Sequence, residues 1–175
     1  MSLSLATRRI LLAVPSLAVR PLSASAVSAT ASRGYKVLHK SQAKALGGRQ
    51  GTVSSNDGAL TLTLDTPKGL GGKGGPGTNP EQLFAAGYAA CFRGAMGVAQ
   101  SKLGLPAIPD ATTVEGLVDI GKHDDGKLGI EVELKVAIPG WKAKDIQKLI
   151  DEAHQICPYS HATRGNVKVT LTPVA

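Results

Sequence analysis

Residues 83–102 constrain this chain more than any other stretch, because they read as a helix that is apolar nearly all round. Small residues recur along it (Ala85, Ala86, Gly87, Ala89, Ala90, Gly94, Ala95, Gly97), so neighbouring backbones can come close. Such a helix is expected to be covered on every side. Its start is predicted near Pro80, with Thr78 or Asn79 as the cap, since proline suits the first helical position, where its missing N–H has no partner anyway. The longest charge-free apolar run, residues 83–92, is about half of what a bilayer demands, so this is a core helix and no membrane span is expected.

The flanking patterns alternate with a period of two, the signature of half-buried strands. Residues 35–41 read as extended, with Tyr35, Val37 and His39 alternating. Residues 51–55 and 59–64 form a predicted hairpin about Asn56-Asp57-Gly58, with Leu60, Leu62 and Leu64 on a buried face. A second hairpin is predicted from residues 113–122 and 128–138 around Asp124-Asp125-Gly126, with Ile130, Val132, Leu134, Val136 and Ile138 facing one way. Between the hairpins, the glycine-rich run 69–77 reads as a loop. It is no phosphate cradle, because Lys73 is followed by glycine and not by Ser or Thr. A second helix over 142–156 places Ile146, Leu149, Ile150, Ala153 and Cys157 on one buried stripe, and Pro158 stops it. Val167, Val169 and Leu171 mark a closing strand. The sum is a single α+β domain over 35–175, without internal repeats.

Residues 1–34 read differently. No acid precedes Asp57, and residues 1–33 hold Arg8, Arg9, Arg20 and Arg33 among Ser, Ala and Leu. Leu3, Ile10, Val14 and Leu17 share one side of a helical wheel, with Arg9 and Arg20 on another. That is the profile of a mitochondrial targeting leader, with Arg33-Gly34-Tyr35 resembling its processing site. A secretory signal competes, but Arg20 and the continued basic run to Arg49 fit it poorly. Without those four arginines the formal charge of +7 falls to +3, and aromatic residues make up only 3% of the chain, so a nucleic-acid surface is not expected.

Two cysteines carry the chemistry. Cys91 lies in the first helix, within G-Y-A-A-C-F-R-G-A-M, and Cys157 ends the second, within H-Q-I-C-P-Y-S-H. Two thiols in apolar helical settings near basic or imidazole groups suit a dithiol, one sulfur attacking and the other resolving. Buried structural cysteines are the plain alternative. His154, Cys157 and His161, with Cys91, also offer metal donors, although Pro158 turns the chain between them and no Cys-x-x-Cys pair exists. A non-catalytic redox sensor or binding module could use the same dithiol.

The stretches G-G-R-Q-G-T-V at 47–53, N-P-E-Q-L-F-A-A-G-Y-A-A-C-F at 79–92 and A-H-Q-I-C-P-Y-S-H-A-T-R-G-N-V at 153–167 resemble the organic hydroperoxide resistance proteins, within the superfamily of osmotically inducible protein C. The resemblance covers roughly residues 35–175. Gln50 departs from it, standing where relatives often carry an acid. The resemblance implies a lipoyl-dependent thiol peroxidase acting on organic and fatty-acid hydroperoxides. It implies Cys91 as peroxidatic thiol, Cys157 as resolving thiol, and Arg49 with Glu81 as the activating pair. It further implies two-layer hairpin sheets wrapped around a long buried central helix in an intertwined homodimer, with sites at the subunit interface. No bound cofactor is implied; lipoylated dehydrogenase-complex subunits, or dihydrolipoamide, would serve as reductant, which suits a mitochondrial matrix location.

The residue types fit that chemistry. A guanidinium beside a thiol favours the reactive thiolate and can bond peroxide oxygens in fork geometry, while a glutamate orients the guanidinium. Arg93 and Arg164 are further candidate partners, although Arg93 points to a different helix face from Cys91. Leu83, Phe84, Phe92 and Met96 offer apolar walls for a greasy substrate, or simply core. Glu81 and Cys91 stand ten residues apart, roughly 15 Å along a continuous helix. Glu81 therefore serves Cys91 of its own chain only if the helix starts late or bends, and otherwise comes from a partner subunit.

Overall fold

The computed structural model describes residues 34–174. The leader, with its amphipathic pattern and its arginine-led processing site up to Arg33, lies outside the described residues. Residues 34–42 have no regular secondary structure, so the extended segment expected at 35–41 is not a strand. Pairing begins two residues later, at β1 (Ala43–Leu46), where the chain comes alongside β2 (Thr52–Ser55). Alternation alone carried no information about which partner edge was available.

β3 (Thr61–Thr63) completes an antiparallel sheet in the order β1-β2-β3, with Val53 opposite Leu62. The Asp57 carboxylate closes the β2–β3 turn by accepting from the Ala59 N–H at 3.0 Å and from the Ser55 hydroxyl. Of the three leucines expected inward, Leu64 is buried, Leu62 is half-buried and Leu60 is exposed. Thr78 bonds back to this sheet, donating to Thr63 and accepting from Asp65. The entry to the next helix is thereby fixed beside the hairpin.

That helix, α1 (Pro80–Leu103), runs unbroken from an Asn79 cap, whose side chain accepts from the Gln82 N–H at 2.9 Å, to Gly104. Within one chain its coverage is one-sided. Tyr88, Phe92, Ala95, Met96 and Ala99 are buried, whereas Ala86, Ala90 and Gly94 are exposed and Val98 is 57% exposed. The expectation of a helix enclosed on all sides is therefore not met by this chain alone. Apolar residues all round a helix state that cover is needed, but not which chain supplies it.

β4 (Thr113–Lys122) and β5 (Leu128–Ala137) form the expected second hairpin, with Thr113 opposite Ala137 and Lys122 opposite Leu128. Val132, Leu134 and Val136 point into the core, with Ile138 buried just beyond the strand. β4 packs directly on α1. Gly116 permits the approach, because a Cβ there would lie 2.8 Å from the Ala85 carbonyl oxygen.

α2 (Ala143–Ile156) follows, and Ile146, Leu149, Ile150, Ala153 and Cys157 are fully buried, as their spacing predicts. Pro158 ends α2 and also opens a further short helix, α3 (Pro158–Thr163), that the sequence reading had not separated. β6 (Val169–Val174) returns parallel to β5, giving the order β4-β5-β6, and starts two residues after the expected Val167. Pro173 lies in this strand, at the sheet edge where a missing N–H does no harm. The result is α+β: two three-stranded sheets and a long helix packed against β4 and α2.

Candidate functional site: a paired-thiol centre and a separate ion pair

Pro158 determines where Cys157 sits. A residue before proline is pushed from the helical region into extended backbone, and Cys157 has φ −62° and ψ 126°. It therefore caps the end of α2 and the start of α3, and its side chain turns inward instead of continuing the helix. Its thiol donates to the sulfur of Cys91, with the two Sγ atoms 3.6 Å apart. No disulfide joins them; Cys157 is wholly buried and Cys91 half-buried. A disulfide needs the sulfurs only about 1.5 Å nearer, a movement within side-chain rotation.

Burial pushes the Cys91 thiol above its ordinary pKa, and the neighbouring Cys157 pushes the same way, while a hydrogen bond from the backbone of Tyr159 opposes them. No cation is among the leading influences on this sulfur. Arg164 is occupied elsewhere, donating to the His154 carbonyl at 2.8 Å.

Tyr159 lies over α1, its hydroxyl 3.1 Å from where a Cβ of Gly87 would stand. A side chain at 87 would push that ring away. Around it, Phe84, Tyr88 and Phe92 form an aromatic cluster; the Tyr88 and Tyr159 centroids are 5.6 Å apart and the Phe84 and Tyr159 centroids 6.1 Å apart. Of the expected apolar walls, Phe92 and Met96 are fully buried core, while Leu83 and Phe84 are half-buried. Tyr88, Ser160 and Thr163, which the sequence reading did not single out, form a buried cluster of hydroxyls between α1 and α3. No sequence signal pointed to it, because Ser160 and Thr163 lie on α3, a helix that periodicity does not reveal.

The second expected pair also forms, but elsewhere. Arg49 sits in a short turn (Gly48–Gln50) that leads into β2 and meets Glu81 in the first turn of α1. The guanidinium donates twice, at 2.9 Å to Oε2 and 2.6 Å to Oε1. That hydrogen bonding holds the Glu81 carboxyl below its ordinary pKa against the opposing effect of burial, and raises Arg49. The pair borders a cleft of about 520 Å³ lined also by Ile120, His123 and Asn166. Because α1 is continuous, Glu81 lies roughly 15 Å along the axis from Cys91 of the same chain. The expected cation beside Cys91 is thus not supplied by Arg49 of that chain. His154, Cys157, His161 and Cys91 do not converge either: among the described residues, no three His, Cys, Asp or Glu side chains gather as metal ligands.

Fold and site together define an α+β protein with a paired-thiol centre. The chain belongs to the OsmC-like protein family, which it matches over residues 71–172. It is 55% identical over 139 residues to the organic hydroperoxide resistance protein of Xanthomonas axonopodis pv. citri, covering 78% of this chain and 95% of that one. Its structure is similar to that of an organic hydroperoxide resistance protein from Elizabethkingia anophelis, solved with thiocyanate bound, at a TM-score of 0.71 and 46% identity over 79% of this chain and 98% of that one. The organic hydroperoxide resistance protein OhrB of Bacillus subtilis is similar at a TM-score of 0.70 and 40% identity, over 79% and 100%.

The ion pair has a pH signature. A carboxyl with a lowered folded pKa adds stability that is complete above its unfolded value and disappears as the pH falls through the folded one. With Arg49 38% exposed, solvent screening limits this to about 0.5–1 kcal/mol. Urea unfolding of Glu81→Gln should therefore show a deficit of that size at neutral pH that vanishes well below the ordinary value of 4.5. A deficit that persists unchanged in acid would mean that packing, not charge, accounts for it.

Proposed function

We propose that this chain is a Cys-based peroxidase that reduces organic and fatty-acid hydroperoxides to alcohols. The observation that carries the reading is the 3.6 Å approach of Cys91 and Cys157, one thiol half-exposed and the other sealed in. The relatives' names add support, since they are organic hydroperoxide resistance proteins. The Cys91 thiolate attacks the distal oxygen of the hydroperoxide; the O–O bond breaks, the alkoxide takes a proton and leaves as alcohol, and Cys91 becomes a sulfenic acid. The Cys157 thiol then attacks that sulfur, forming the disulfide and releasing water. A lipoyl dithiol, free as dihydrolipoamide or on lipoylated subunits of dehydrogenase complexes, exchanges with the disulfide and restores both thiols.

Activation of Cys91 comes, in this reading, from a second copy of the chain. Burial alone works against the thiolate, and the unbroken helix keeps Glu81 of the same chain away. The uncovered face of Ala86, Ala90, Gly94 and Val98 suits close packing of two such helices in a homodimer. Arg49, held in orientation by Glu81, would then reach Cys91 of the partner subunit, favour its anion and bond the peroxide oxygens.

In a steady-state assay with an alkyl hydroperoxide and dihydrolipoamide, wild type should consume many equivalents. Cys91→Ser should consume none, and Cys157→Ser should react once without cycling. Wild type that stops after one equivalent would instead be a sensor. Mixing Cys91→Ser chains with Glu81→Gln chains should restore up to half of the wild-type sites, because each mixed dimer pairs one intact thiol with one intact ion pair. No recovery in verified mixed dimers would place the pair and the thiol in the same subunit.

Residues 1–34 are proposed to direct the protein to the mitochondrial matrix, where lipoylated complexes reside. A fluorescent protein fused behind them should accumulate there, and an evenly distributed signal would contradict the assignment.

A further inference from the structure

We infer that Tyr88 is a positioning residue for the dithiol: its buried hydroxyl clasps α3 to α1 and so holds Cys157 within reach of Cys91. The inference rests on the peroxidase reading of the same cysteines and deepens it.

Tyr88 lies on α1, one turn before Cys91, and is fully buried. Its hydroxyl donates to Ser160 Oγ at 2.9 Å and lies 3.3 Å from Thr163 Oγ1. Thr163 in turn donates to the carbonyls of Tyr159, at 3.0 Å, and Ser160, at 3.2 Å. Ser160 is wholly buried and Thr163 almost so. Tyr88 thus gives its proton to Ser160, and Thr163 shares its one proton with backbone carbonyls beside it, inside an aromatic cluster.

Space-filling does not require this. A phenylalanine at 88 would keep the ring contacts with Phe84, Phe92 and Tyr159. What the hydroxyl adds is position. Ring faces can slide on one another at little cost, whereas a buried hydroxyl that loses its partner is penalised, so the network favours one placement of α3. α3 spans only Pro158–Thr163 and begins directly after Cys157, with Ser160 three residues beyond that cysteine. Fixing Ser160 and Thr163 therefore fixes the backbone that carries the resolving thiol.

The step most sensitive to that placement is closure. The Cys157 sulfur attacks the Cys91 sulfenic sulfur; an S–S bond forms, the S–O bond breaks, and the oxygen leaves as water with the thiol proton. If α3 is loose, closure slows and the sulfenic acid meets a second hydroperoxide, which oxidises it to sulfinic acid while being reduced to alcohol.

The experiment compares full-length wild type with Tyr88→Phe, Thr163→Val and Thr163→Ser, each checked by circular dichroism. Disulfide closure is timed after oxidation by tert-butyl hydroperoxide and, separately, by diamide, which joins two thiols without peroxide chemistry. Tyr88→Phe and Thr163→Val should close roughly five- to ten-fold more slowly with both oxidants, the scale of one lost buried hydrogen bond. Their sulfinic fraction at Cys91 should rise with the peroxide, while Thr163→Ser, which keeps the hydroxyl, should behave as wild type. Should Tyr88→Phe fail to fold, the two Thr163 variants carry the comparison. Wild-type closure rates in the folded hydroxyl-deleted variants would overturn the inference, as would equal slowing in Thr163→Ser and Thr163→Val. Wild type that closes with diamide but ignores hydroperoxide would defeat the peroxidase reading alone, leaving the clasp to be judged by the diamide rates.

Discussion

The contact between the sulfurs of Cys91 and Cys157 is what the rest of the molecule is arranged around. It depends on a backbone constraint, the refusal of a pre-proline residue to stay helical, which turns Cys157 inward where α2 ends. It depends equally on packing. The buried stripe of α2 seats that helix against α1, and α1 in turn rests on β4 through the close approach at Gly116. The thiol contact is a property of the helix junction, and the β4-β5-β6 sheet packs on both helices that form it.

The second organising feature is a separation. Arg49 and Glu81 form a two-pronged ion pair where the first sheet meets the start of α1, about three helical turns from the thiol they are expected to serve. The thiol, left to its own chain, is pushed toward its neutral form by burial. A reactive centre assembled from one chain would therefore be poorly activated. The proposed homodimer, packed through the uncovered face of α1, would supply the missing cation from its second copy and so couple activity to assembly.

Much of this was legible in the sequence, and the gaps have identifiable causes. The β4–β5 hairpin and the buried stripe of α2 follow from strict periodicity reinforced by turn residues, and both agree with the structure nearly residue for residue. The start of α1 was readable because Pro80 suits the first helical position, while the choice of Asn79 over Thr78 as cap was not. β1 was not foreseen because alternation cannot reveal an available sheet edge, and every residue of β1 is exposed. α3 was missed because a proline was read as a stop when it also served as a start. At the site, the chemical types of Cys91 and Cys157 stood out, whereas Arg49 and Glu81 entered only through the family resemblance; the axial gap between Glu81 and Cys91 was readable from helix geometry. The hydroxyl group of Tyr88, Ser160 and Thr163 did not, because their meeting depends on how α3 folds back onto α1.

The most direct measurement is a single turnover. Reduced protein is mixed with one equivalent of a fatty-acid hydroperoxide, free thiols are blocked, and the peptides and lipid products are analysed by mass spectrometry. The account predicts one alcohol released for each chain in which the Cys91 and Cys157 peptides have become joined. Blocked, unjoined cysteines alongside intact hydroperoxide would contradict it.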